Sequence, residues 1–84
     1  MSYDRVKQLQ SRIIIGTKQT IKAMNNGEVE EVFIATDADR HITDKVLEVA
    51  KELNVPYTKV DSKKKLGEAC GIDVDASTVA IKAN

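Results

Sequence analysis

Apolar residues change their spacing several times along the chain, and each change predicts an element. The β-branched run Ile13, Ile14 and Ile15, stopped by Gly16, predicts a buried strand, and residues 4 to 12 ahead of it predict a short polar helix. From Thr17 the period lengthens. Ile21 and Met24 lie three apart with Thr17 four before Ile21, one stripe of a helix, while Lys18 and Lys22, four apart, line another. Asn25, Asn26 and Gly27 predict the end of that helix, because Asn and Gly tolerate the left-handed backbone of a helix C-terminus. Val32 to Thr36 predicts a second buried strand, followed by the loop Asp37-Ala38-Asp39. The positions Ile42, Val46, Val49, Ala50 and Leu53 then trace the stripe of an amphipathic helix that ends before Asn54 and Pro56. Residues 56 to 61 predict a third strand, Ser62 an N-cap for a short helix over 63 to 70, and residues 71 to 77 a loop into a last strand over 78 to 82. Helix and strand alternate throughout. The expected fold is α/β, a three-layer αβα sandwich with helices on both faces of a mixed four-stranded sheet.

With 84 residues and 42% hydrophobic content, the chain supports one core, hiding roughly 60% of the unfolded surface. A single domain without a linker is expected. Cys70 is the only cysteine, so no intramolecular disulfide is possible and a cysteine zinc cluster lacks ligands. The short apolar runs and the absence of a signal or lipidation motif predict a soluble, cytoplasmic protein with no membrane partner and no cofactor.

Thirteen basic and thirteen acidic residues cancel, yet they are unevenly placed. Residues 1 to 27 carry Arg5, Lys7, Arg12, Lys18 and Lys22 against Asp4, a balance of +4. Residues 28 to 56 carry three basic and eight acidic groups, a balance of −5, and the remainder is +1. Such a split fits a basic face opposite an acidic one, or ordinary surface scatter.

The candidate chemistry sits at the openings of helices. A helix opening at Gly16 leaves its first backbone N–H groups unpaired and attracts anions. Lys18 and Gln19 project from that first turn with the donors and acceptors that read base edges, and Lys22 stands one turn on, in reach of a phosphate. The glycine spacing is not that of a nucleotide-binding P-loop. The plainer alternative is that Gly16 ends a strand and the lysines keep an exposed helix soluble. Lys63, Lys64 and Lys65 crowd a helix N-terminus, where the dipole disfavours cations and a phosphate would relieve the conflict; a solvated face is the alternative. In the loop 71 to 77, Ile72 and Val74 alternate with Asp73 and Asp75, so one of the two apolar groups is either a surface contact or a core plug. Asp37 and Asp39 read first as helix caps and only second as a Mg²⁺ pair. His41 lacks the partners of a catalytic triad, and Cys70 reads as a small buried hydrophobe.

Three stretches taken together, "IIIGTKQTIKAMNNG", "VFIATDAD" and "SKKKLGEACGIDVDASTVAI", resemble the L-seven-Ae family of ribosomal proteins, and most of all its short bacterial members. The resemblance runs from Arg12 to Ile81. It implies that residues 1–84 form one domain that binds kink-turns, RNA bends in which a three-nucleotide bulge beside tandem sheared G·A pairs opens the major groove. By that resemblance the helix led by Gly16 enters the groove. Thr17, Lys18, Gln19 and Lys22 fall on the contact positions, Lys18 and Gln19 reading guanines and Lys22 with the helix N-terminus holding phosphates. Lys63, Lys64 and Lys65 would extend the phosphate grip, and the loop Ile72, Asp73, Val74, Asp75 and Ala76 would pack apolar groups on the unstacked bulge base. Several positions depart from the family's pattern. Lys18-Gln19 stand where many members have Asn-Glu, Asn26 and Asp75 lower the positive charge, and Arg40 replaces a usual proline.

The expected function is therefore that of a non-enzymatic, monomeric RNA-binding protein that stabilises kink-turns in ribosomal or riboswitch-type RNA, near or within the ribosome. One rival is a protein–protein adaptor using the acidic stretch 28 to 56. A second is a small phosphoryl-transfer or hydrolytic enzyme built on Asp37 and Asp39.

Overall fold

A computed structural model describes residues 2–83. The chain runs through α1 (Ser2–Gln8), a 3-10 turn (Gln10–Arg12), β1 (Ile13–Ile15), α2 (Thr17–Asn25), β2 (Val29–Ala35), α3 (Arg40–Glu52), β3 (Tyr57–Val60), α4 (Lys63–Ala69) and β4 (Thr78–Lys82). The strands form one mixed sheet in the order β1-β4-β2-β3. β4 is antiparallel to both β1 and β2, whereas β2 and β3 are parallel. It follows that β1, β2 and β3 point the same way. Their carboxyl ends and the start of β4 share one edge of the sheet, and α2, α3 and α4, each following a strand, all begin there.

Side chains alternate across the sheet, and both faces are covered. Phe33, Ala35, Val79 and Ile81 face α1 and α4, with Val6, Leu66, Ala69 and Cys70 completing that layer. Val32, Ile34 and Ala80 face the other way, against Met24, Val46 and Ala50 of α2 and α3. The three-layer αβα sandwich with a mixed four-stranded sheet is thus the observed architecture.

Four local readings change. The N-terminal helix begins at Ser2, ends at Gln8 and is not simply polar: Val6 is fully buried, and Tyr3 and Leu9 pack on the same core. β1 is an edge strand bonded only to β4, so its isoleucines are half-buried and Ile15 is 37% exposed. β2 starts at Val29 rather than Val32, because Arg5 ties down Glu30 at 2.9 Å and Glu31 at 2.7 Å and lets charged residues join a strand. The inward stripe of α2 is Thr20, Ala23 and Met24, with Ile21 at its margin, and in α3 Thr43 turns inward while Ile42 is 40% exposed. Amphipathic spacing located the helices and their buried Met24, Val46 and Ala50, but passed over Thr20, Ala23 and Thr43 and placed the exposed Ile42 and Leu53 inward.

Thr20 carries a testable cost. It is completely buried, and its Oγ1 meets no hydrogen-bond partner among the described residues. Thr20→Val keeps the shape and removes the orphaned hydroxyl, so stability should rise by about 1 kcal/mol. Urea unfolding checks the sign, and a loss of stability would show that the hydroxyl is satisfied.

Candidate nucleic-acid interface

Gly16 joins β1 to α2 with φ 109° and ψ 151°, a backbone region that is nearly glycine's alone. Its N–H donates to Thr78 O at 3.0 Å, fixing the turn on the start of β4, and its carbonyl accepts from Thr20 N at 3.0 Å. The amides of Thr17, Lys18 and Gln19 have no acceptor among the described residues, no side chain caps the helix, and its first turn holds no acid. Lys18 and Gln19 are exposed, Thr17 partly so, and nothing lies within 4 Å of where a Cβ on Gly16 would stand. This helix end is open.

The neighbouring helix starts are closed. Asp39 caps α3, accepting from His41 N at 2.9 Å. Ser62 caps α4, accepting from Lys65 N at 3.1 Å, and Asp37 accepts from Lys63 N at 2.9 Å. The dipole conflict expected from three lysines at this end is therefore met internally by a carboxylate and needs no phosphate to relieve it. Both aspartates of the loop are caps, Asp37 serving α4 across the sheet edge rather than the helix that follows it. The turn before α4 is also pinned from α1, where the Tyr3 hydroxyl accepts from Ser62 N at 3.0 Å and donates to Asp61. Burial pushes the Tyr3 phenol up, and the bond from Tyr3 holds the Asp61 carboxyl below its ordinary range.

The loop after α4 divides its apolar groups. Ile72 packs half-buried on the core and Ala76 is buried in it, whereas Val74 is 68% exposed between the exposed Asp73 and Asp75. Of the apolar side chains expected to meet a base, those of Ile72 and Ala76 face inward, and Val74 alone is fully presented. Two contacts hold it there. Ala76 N donates to Lys63 O at 3.0 Å, and Gly67 on α4 lies so close beneath the loop that a Cβ on it would stand 2.1 Å from Val74 O. Sequence reasoning singled out neither Gly67 nor the reach of Asp37. A glycine inside an otherwise helical stretch, "KKKLGEAC", was the available signal of a close backbone approach.

The charge split resolves differently from a simple two-faced molecule. Arg5 and Arg12 are drawn to Glu30 and Glu31, Arg12 also donating to Lys82 O at 2.7 Å. Lys18 and Lys22, by contrast, form no ion pair with any described residue. The acidic stretch is divided among β2, two helix caps and the outside of α3, so it does not make one face. Cys70 is buried, which pushes its thiol up to about 11 and keeps it protonated at neutral pH. His41 is exposed beside Thr17, Lys18 and Ile42. No helix among the described residues is long and apolar enough to cross a membrane, and those residues hold no cluster suited to a metal ion.

One edge thus gathers the open start of α2, the lysine-bearing start of α4 and the loop carrying Val74, laced by backbone bonds from Gly16 to Thr78, Ala35 to Ser77 and Ala76 to Lys63. Other proteins resemble this chain in sequence or in architecture. An RNA-binding protein of Geobacillus sp. (strain WCH70) is 57% identical over 81 residues, covering 96% of this chain and 98% of that protein. The RNA-binding protein YbxF of Geobacillus stearothermophilus is 58% identical over the same shares. Among solved structures, the 15.5kD RNA binding protein of Giardia lamblia superposes with a TM-score of 0.93 at 31% identity, over 99% of this chain and 72% of that one. A Bacillus halodurans protein of unknown function superposes at 0.84 with 25% identity, over 96% of this chain and 80% of that one. Residues 1–84 match the profile of the Ribosomal protein L7Ae/L30e/S12e/Gadd45 family, and on these grounds the chain belongs to that family.

Proposed function

We propose that this protein binds structured RNA at the sheet edge just described and recognises kink-turns there, acting without catalysis as a cytoplasmic monomer in or near the ribosome. The observation that carries the reading is the uncapped start of α2. Two neighbouring helices spend side chains on their first amides, while α2 leaves three amides, Lys18 and Gln19 facing solvent. A helix end of this kind suits a polyanion that also offers hydrogen-bonding base edges.

Ordinary A-form RNA does not fit, because its major groove is too deep and narrow for a helix. A sharply bent RNA with an opened groove admits α2, puts phosphates against the amides of Thr17 to Gln19 and against Lys22, and presents guanines to Lys18 and Gln19. Lys63, Lys64 and Lys65 add phosphate contacts from the next helix, and Val74, flanked by Asp73 and Asp75, packs on an unstacked base. The bent form alone meets all of these at once, so binding shifts the RNA toward it. The names of the relatives support an RNA partner.

Titration of Lys18→Ala and Gln19→Ala against a kink-turn RNA, and against a copy whose sheared G·A pairs are replaced by Watson–Crick pairs, tests this. Each variant should lose roughly 1–3 kcal/mol of binding and discriminate less between the two RNAs. For the unaltered protein, log affinity should fall against log salt with a slope of roughly −2 to −4, as expected for three to five phosphate contacts. Equal binding of both RNAs by the unaltered protein rules out kink-turn recognition.

A further inference from the structure

We infer that Asp37 is a positioning residue for RNA binding, a carboxylate that strengthens the grip on a polyanion by holding the protein's own backbone. The inference rests on the proposed RNA interface and concerns how that interface is kept in shape.

Lys63 is the hinge of the arrangement. Its N–H donates to the Asp37 carboxylate at 2.9 Å, and its C=O accepts from Ala76 N at 3.0 Å. One peptide segment thereby ties the β2–α3 loop to the first turn of α4 and to the loop that presents Val74. The lysine turn and the Val74 loop are the two parts of the interface outside α2, and both take their position from this residue. Ser62 already accepts from Lys65 N, so Asp37 is not the helix's only cap. What it adds is the cross-link between separate segments. Tyr3 fixes the preceding residue through Ser62 N at 3.0 Å, which leaves the Asp37 bond as the one that orients Lys63 toward the sheet edge.

Simple electrostatics predicts the reverse of this inference. Asp37 is exposed and stands at the edge where a polyanion is proposed to dock, so on charge alone its removal should tighten binding. On the positioning account, removal loosens the lysine turn and the Val74 loop together, and binding weakens. The two accounts differ in sign.

The test measures affinity for a kink-turn RNA across salt concentrations for the unaltered chain, Asp37→Ala and Asp37→Asn, with thermal melting to confirm folding and hydrogen exchange at the Lys63 and Ala76 amides. Asp37→Ala should bind about fivefold to tenfold more weakly, the scale of one lost hydrogen bond, with a shallower salt slope as lysine–phosphate contacts loosen and faster exchange at both amides. Asp37→Asn keeps an acceptor without the charge and should bind as well as the unaltered protein or better. Should Asp37→Ala fail to fold, Asp37→Glu, which keeps the charge but shifts the acceptor by a methylene, carries the same expected loss. Equal or tighter binding by Asp37→Ala, or an Asp37→Asn as weak as Asp37→Ala, overturns the inference while leaving the RNA interface standing. Failure of the unaltered chain to bind the RNA overturns the interface itself, and the inference with it.

Discussion

Gly67→Ala should lower stability by about 2–3 kcal/mol, although alanine is the better helix former. A new Cβ would stand 2.1 Å from Val74 O, 3.1 Å from Val74 C and 3.3 Å from Ala76 N, all backbone atoms of the overlying loop. The intrinsic gain of alanine over glycine in a helix is about 1 kcal/mol. Overpacking costs about 1–3 kcal/mol, here at the upper end because no flexible side chain can give way. Displacing the loop also strains the bond from Ala76 N to Lys63 O, another 1 kcal/mol or so. The clash wins. In a domain of this size the melting temperature should drop by roughly 10–20 °C, and RNA affinity should fall further because Val74 is no longer held out. A variant that melts at or above the unaltered protein would show that the loop does not lie on Gly67.

Gly16→Ala should act by a different physical route. Nothing lies within 4 Å of the added methyl, so no clash is involved. The cost is conformational, about 1–3 kcal/mol for forcing an L-residue into φ 109°, ψ 151°. A strained turn would also shift the α2 amides that it leads, and affinity for the kink-turn RNA should fall about tenfold, comparable to losing a good base or phosphate contact. Thermal melting and RNA titration read the two effects separately. Lower stability with undiminished affinity of the folded protein would mean that RNA docks elsewhere.

The contrast between these glycines explains what the sequence made legible. Gly16 announces itself, because it stops a run of isoleucines and changes the apolar period from strand to helix. Ser62 and the strand Thr78–Lys82 are equally local signals, and both stand where the pattern put them. Gly67 and Asp37 matter through residues that are neighbours only after folding, Val74 for the one and Lys63 for the other. Periodicity carries no information about such contacts. The half-exposed β1 was misjudged for the same reason, since three isoleucines look alike in a central and an edge strand and only the sheet order distinguishes them. The buried Thr20 was missed because its polarity masks a position on the inward stripe of α2. Burial of Val6 within a mostly polar helix is a long-range fact of the same kind.

The common direction of β1, β2 and β3 has a consequence for how the protein searches. Three helices starting at one edge give the molecule a polar end even though its formal net charge is +0. Beyond about 8 Å at physiological ionic strength such a molecule exerts little pull on nucleic acid. On the proposed function it should therefore release ordinary duplexes quickly and linger only where a bent backbone can be met end-on. Selectivity of this sort comes from weak attraction to everything else as much as from strong contacts with the right site.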